Sequence, residues 1–64
     1  MEKATGLKIR RVELCLKQKT VAEKAGISVP YMAKLENGKI KNPSIEVMKR
    51  LADVLQSTPQ ELFF

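Results

Sequence analysis

Apolar positions along the chain recur at helical spacings of three and four residues, and turn residues divide them into five runs. The first covers about Gly6 to Leu14, with Thr5 placed to cap it and Leu7 and Leu14 two turns apart on one face. The second covers about Gln18 to Ala25, turns Val21, Ala22 and Ala25 inward, and is broken by Gly26. The third starts after Ser28 and reaches about Asn37, with Met32 and Leu35 as its inward pair. Pro30 is harmless near its start, because a first-turn amide has no partner within the helix. Asn37-Gly38 closes it. The fourth follows Pro43 with Ser44 as cap, and Ile45, Met48, Leu51, Ala52 and Leu55 fall on one face. Thr58-Pro59-Gln60-Glu61 reads as a capping box that opens a short fifth helix, folding Leu62 and Phe63 back onto the core. No segment alternates with period two. The expectation is an all-α, compact five-helix bundle.

Composition narrows what such a bundle can do. The chain has 64 residues, so it is read as a single domain over 1–64. A core of this size buries only ~60% of the surface the unfolded chain exposes, which leaves no depth for a multi-residue active site. There is one cysteine, Cys15, and no histidine. No internal disulfide can form, a zinc site is disfavoured, and the usual general base is missing. Neither an enzyme nor a metal or other cofactor is expected. No apolar run approaches the roughly 20 residues of a membrane span, and the N-terminus lacks the apolar core of a signal peptide, so the expected location is the cytoplasm. Cys15 itself reads as a small apolar filler at a helix end.

Charge changes the picture most. The formal net charge is +5 and the pI about 9.7. Residues 1–41 hold ten Lys/Arg and four Asp/Glu, whereas residues 42–64 hold two and three. A basic N-terminal two-thirds beside a near-neutral tail is either one electrostatic footprint for a polyanion or a solvated lysine surface.

The stretch from Gln18 to Asn37 separates these readings. Two helices crossing at roughly 90–120° through a short turn approach closely near the middle of the first, and Ala22 supplies the small residue needed there. Gly26 supplies the left-handed turn residue. Ile27, Met32 and Leu35 pin the second helix to the core and leave the opposite face of its N-terminal half protruding. This is a helix-turn-helix arrangement.

At this point the chain resembles the Cro/repressor-type (XRE) helix-turn-helix family, which includes the DNA-binding domains of the lambda and 434 phage repressors. The resemblance spans about Leu7 to Phe63. It rests on Leu7-Lys8…Arg11, Gln18…Val21-Ala22-Glu23-Lys24-Ala25-Gly26-Ile27-Ser28, Tyr31-Met32-Ala33-Lys34-Leu35-Glu36-Asn37-Gly38, Asn42-Pro43-Ser44-Ile45 and Leu51-Ala52…Leu55, in that order and spacing. It implies a lambda repressor-like fold, a double-stranded DNA partner and a regulator of transcription. It places Val29, Pro30, Ala33 and Lys34 among the base readers of a recognition helix over about 29–37. It places Gln18 on a backbone phosphate and Asn37, Lys39, Lys41 and Asn42 in a loop that meets the DNA backbone. The residues themselves add Lys17 and Lys19 as charges near phosphate and the Tyr31 hydroxyl as a phosphate donor. For Gln18 and the loop the competing reading is an ordinary solvated surface, and for Tyr31 it is packing. Arg11 and Glu36 match a pair that ties the first helix to the end of the third, a structural ion pair.

This sequence also departs from the pattern. Val29, Pro30 and Ala33 cannot hydrogen-bond a base edge through their side chains, whereas Lys34 can donate to guanine and Val29 and Pro30 can touch thymine methyls. Direct readout is therefore thin, and DNA shape carries more of it. Cys15 and Gln56 stand where glycines are common, Lys17 where Ser or Thr usually caps, and Ser57 where an apolar residue is usual. Val47 and Val54, with Ile40 and the Phe63-Phe64 pair, leave apolar surface for a homodimer seam on helices 4 and 5, which would place two copies on a pseudo-palindromic operator. The alternative function is a protein-interaction module of the same fold, antitoxin-like or antagonised by a partner.

Overall fold

The computed structural model describes residues 5–40 and 43–64. These form α1 (Gly6–Glu13), α2 (Gln18–Ala25), α3 (Val29–Glu36), α4 (Ile45–Val54) and α5 (Pro59–Phe63), with no strand among the described residues. Four of the five helices start on a hydroxyl cap. Thr5, Ser28, Ser44 and Thr58 accept from the backbone N–H of Lys8, Tyr31, Val47 and Glu61, each at 3.2 Å. Lys17 leads into α2 without a side-chain cap. At Thr58 only one half of the anticipated reciprocal box is seen: the Glu61 carboxylate accepts from the Ser57 hydroxyl instead.

The first four helices end alike. In each, a residue in the left-handed region follows the helix, and two successive amides fold back onto its last carbonyls. After α1 the Cys15 and Leu16 amides donate to Val12 and Arg11; after α2, Gly26 and Ile27 donate to Glu23 and Ala22. After α3, Gly38 and Lys39 donate to Leu35 and Lys34; after α4, Gln56 and Ser57 donate to Asp53 and Ala52. Gly26 and Gly38 hold φ of 71° and 70°, but Cys15 and Gln56 hold 57° and 52° with a Cβ in the way. Cys15 is therefore not the apolar filler anticipated. It is exposed, and its place is set by the turn its backbone must make. Replacing either residue by Gly removes the left-handed penalty but adds entropy to the unfolded chain. Each of Cys15→Gly and Gln56→Gly should raise stability by about 0.5–1 kcal/mol in urea denaturation, and the pair should be additive.

The core is formed by Leu7, Val21, Ala22, Ala25, Met32, Leu35, Leu51, Ala52, Leu55 and Leu62. α2 packs on α3 and α4, α4 also on α5, and α1 on α5 and α3. Ala22 is wholly buried, as a close α2–α3 crossing requires. One core assignment fails. Ile45 is 65% exposed although it shares the spacing of Met48, Leu51 and Leu55. It is the first residue of α4, and side chains tilt toward a helix's N-terminus, so Ile45 projects past the body that half-buries Met48 and buries Leu51 and Leu55.

Candidate nucleic-acid interface

The third helix, α3, is held from behind. Met32, Leu35 and Glu36 are buried, and Tyr31 is half-buried against the same core. Val29, Pro30, Lys34 and Asn37 are exposed and Ala33 is half-exposed, so these five lie on one stripe opposite the anchored face. Lys17, Lys19 and Lys39 are exposed in the segments flanking that stripe. Lys41 and Asn42 lie outside the described residues.

Behind the helix sits a polar cluster built from three elements. Glu36, the one buried charged residue among those described, has a side chain only 1% exposed. Arg11 of α1 meets it with two parallel bonds, from Nε to Oε2 at 2.6 Å and from Nη2 to Oε1 at 3.1 Å. Its third nitrogen, Nη1, donates to the Leu16 carbonyl at 2.8 Å. This fork geometry is what a planar guanidinium offers a carboxylate. Gln18 is the third member: its Nε2 donates to Glu36 Oε1 at 2.9 Å. A carboxylate accepts only, so this contact fixes which end of the Gln18 amide faces inward. One amide hydrogen is engaged by Glu36 and the other remains. The Thr5 hydroxyl completes the junction by donating to the Glu36 backbone carbonyl at 3.1 Å. No buried side-chain nitrogen or oxygen among the described residues lacks a partner.

Sequence reasoning placed Arg11 with Glu36 but did not place Gln18 or Thr5 on the same residue. It also passed over Arg10, whose Nε and Nη2 donate to the Leu55 and Gln56 carbonyls at 2.9 and 3.2 Å and so close the end of α4. A basic residue one helical turn from Glu13 reads as a surface charge, and nothing local signals carbonyls so distant in sequence. Of the anticipated seam, Val47, Val54 and Phe63 are half-buried against the core, as is Ile40, whereas Phe64 is 89% exposed. Among the described residues no helix is long and apolar enough to cross a membrane, and no cluster of His, Cys, Asp and Glu is placed to hold a metal ion.

The comparisons with known proteins agree with this geometry. A family profile described as helix-turn-helix matches residues 7–62. The fold is similar to the crystal structure of the restriction-modification controller protein C.AhdI from Aeromonas hydrophila, with a TM-score of 0.82 and 33% identity over 91% of this chain and 86% of that one. No curated protein matches the chain. The anchored α3, its free outer stripe and the match over almost the whole chain lead to one conclusion: the chain belongs to the XRE-type helix-turn-helix family of DNA-binding regulators.

Proposed function

We propose that the protein is a sequence-specific regulator of transcription that binds double-stranded DNA as a homodimer, with α3 in the major groove. The observation that carries this is the free outer stripe of α3, rigidly backed by the core and flanked in sequence by exposed lysines. In this reading Val29, Pro30, Ala33 and Lys34 face base edges. Lys17, Gln18, Lys19, Tyr31, Asn37, Lys39, Lys41 and Asn42 face phosphates. Gln18 has one amide hydrogen left for that role after its bond to Glu36. Similarity to a protein described as a controller supports regulation rather than packaging. A single small module reads few base pairs, and a second copy about one helical turn away supplies the missing contacts. The seam would use Val47, Val54, Phe63 and Phe64.

Binding to duplexes selected from a random pool, measured across a salt series, tests the reading. Log Kobs should fall against log salt with a slope of roughly −0.9 per phosphate neutralised. Gln18→Ala should weaken all sequences alike, whereas Lys34→Ala should relax preference at one base pair by ~1–3 kcal/mol. Light scattering of the same complexes should give two protein chains per selected duplex. Affinity indifferent to salt would point instead to a protein partner, and one chain per duplex would remove the homodimer.

A further inference from the structure

The outer stripe of α3 is poor in side chains that can hydrogen-bond a base edge. Its first two turns present Val29, Pro30 and Ala33, and the other side chains of α3 add few polar groups to this face. Val29 is 38% exposed, with its side chain free of the core cluster. Ser28 already uses its oxygen to accept from the Tyr31 amide. Tyr31 is turned partly against the core. Lys34 is the one charged donor on the stripe. In the major groove the only apolar feature that a base pair offers is a methyl group at C5 of a pyrimidine. Thymine carries it always, and cytosine carries it when methylated at C5. An aliphatic patch gains by covering that methyl and excluding water from both surfaces. Over an unmethylated cytosine the same patch desolvates an amino donor and returns nothing.

Given the major-groove docking proposed above, on which this inference rests, we propose that Val29, Pro30 and Ala33 form a methyl-reading patch. It recognises the C5-methyl group of a pyrimidine, whether thymine or 5-methylcytosine, so cytosine methylation at the facing position strengthens binding. Lys34 then reads a neighbouring guanine independently of any methyl group.

Single-atom changes in a selected duplex test this. Each thymine is replaced in turn by deoxyuridine, which removes the methyl and leaves every hydrogen-bonding group. At one or more positions of each half-site Kd should rise roughly three- to tenfold. At such a position, exchanging the T·A pair for C·G should weaken binding, and 5-methylcytosine should recover roughly threefold or more of the loss. In Val29→Ser or Pro30→Ser the thymine-to-uracil ratio should fall toward one at a sensitive position, while Lys34→Ala should keep it. Circular dichroism melting confirms that each variant is folded, and two separate variants guard against one failing. Equal affinity for thymine and uracil throughout would overturn the inference, as would 5-methylcytosine binding no better than cytosine. A uracil effect untouched by both serine variants would overturn the assignment to this patch. Selection of no duplex at all would sink the docking model itself, a distinguishable result.

Discussion

Arg11→Ala should leave much of the protein unfolded at room temperature. The substitution removes both bonds that Arg11 makes to Glu36 and the one it makes to the Leu16 carbonyl. Among the described residues, the Glu36 carboxylate, with its side chain 1% exposed, would keep only the Gln18 amide as partner. An ionised carboxylate stranded in this way typically costs ~3–5 kcal/mol. A chain of 64 residues has little reserve against that, since a single core of this size rarely supplies more than about 3–5 kcal/mol. The urea midpoint should collapse, with circular dichroism already showing lost helix in dilute buffer. The pair itself need not be favourable. Replacing both partners with apolar residues of similar volume, Arg11→Met with Glu36→Leu, should restore most of the stability, because the loss in Arg11→Ala comes from the unpaired charge. A single-variant loss below about 1 kcal/mol, the value of an exposed pair, would show that Glu36 finds water or another partner.

The position of this cluster explains why it concerns function as well as stability. Glu36 is the last residue of α3, and its side chain and backbone are both held: the carboxylate by Arg11 and Gln18, the carbonyl by Thr5. α3 is thereby tied at one end to α1 and to the start of α2, and through Met32 and Leu35 to the core. Under the docking proposed above, α3 presents side chains to a groove within fractions of an ångström and benefits from such over-determination.

How much of this was legible in the sequence follows the range of each interaction. The caps at Thr5, Ser28, Ser44 and Thr58 depend on a hydroxyl and an amide three residues apart, and all four were readable. The helical faces were readable for the same reason, except at Ile45, where periodicity is blind to the end of the supporting surface. Cys15 and Gln56 stood out as non-glycines at positions where glycine is common, but only the backbone shows that both adopt the left-handed φ. Contacts between distant segments had no local signal. Nothing near Gln18 announces Glu36, nothing near Arg10 announces the end of α4, and nothing near Gly6 announces α5. The exposed stripe of α3 was legible as residue types, since spacing alone fixes which positions share a face.

Gly6→Ala should destabilise the protein by about 3 kcal/mol, although helix propensity predicts the opposite sign. Gly6 is the first residue of α1, and alanine in a helix is ordinarily better than glycine by ~0.8–1 kcal/mol. Its φ is not in the left-handed region, so no backbone conformation requires glycine. The requirement is steric. A Cβ at this position would collide with the Glu61 carbonyl oxygen and lie 3.2 Å from that of Leu62. Both are backbone atoms of α5, which cannot turn aside as a flexible side chain could. To admit one methyl group α5 must shift bodily, and Leu62, 3% exposed in the core, must move with it. Gly38 supplies the control. It sits at φ +70°, and a Cβ there would meet nothing within 4 Å among the described residues, so the left-handed penalty, on the order of 1–2 kcal/mol, dominates Gly38→Ala. Urea denaturation of the two variants separates the causes: packing makes Gly6→Ala the worse of the pair, whereas backbone conformation alone would make it the better. A stabilised Gly6→Ala would mean that α5 docks loosely enough to yield, and that the close α1–α5 approach contributes little to the fold.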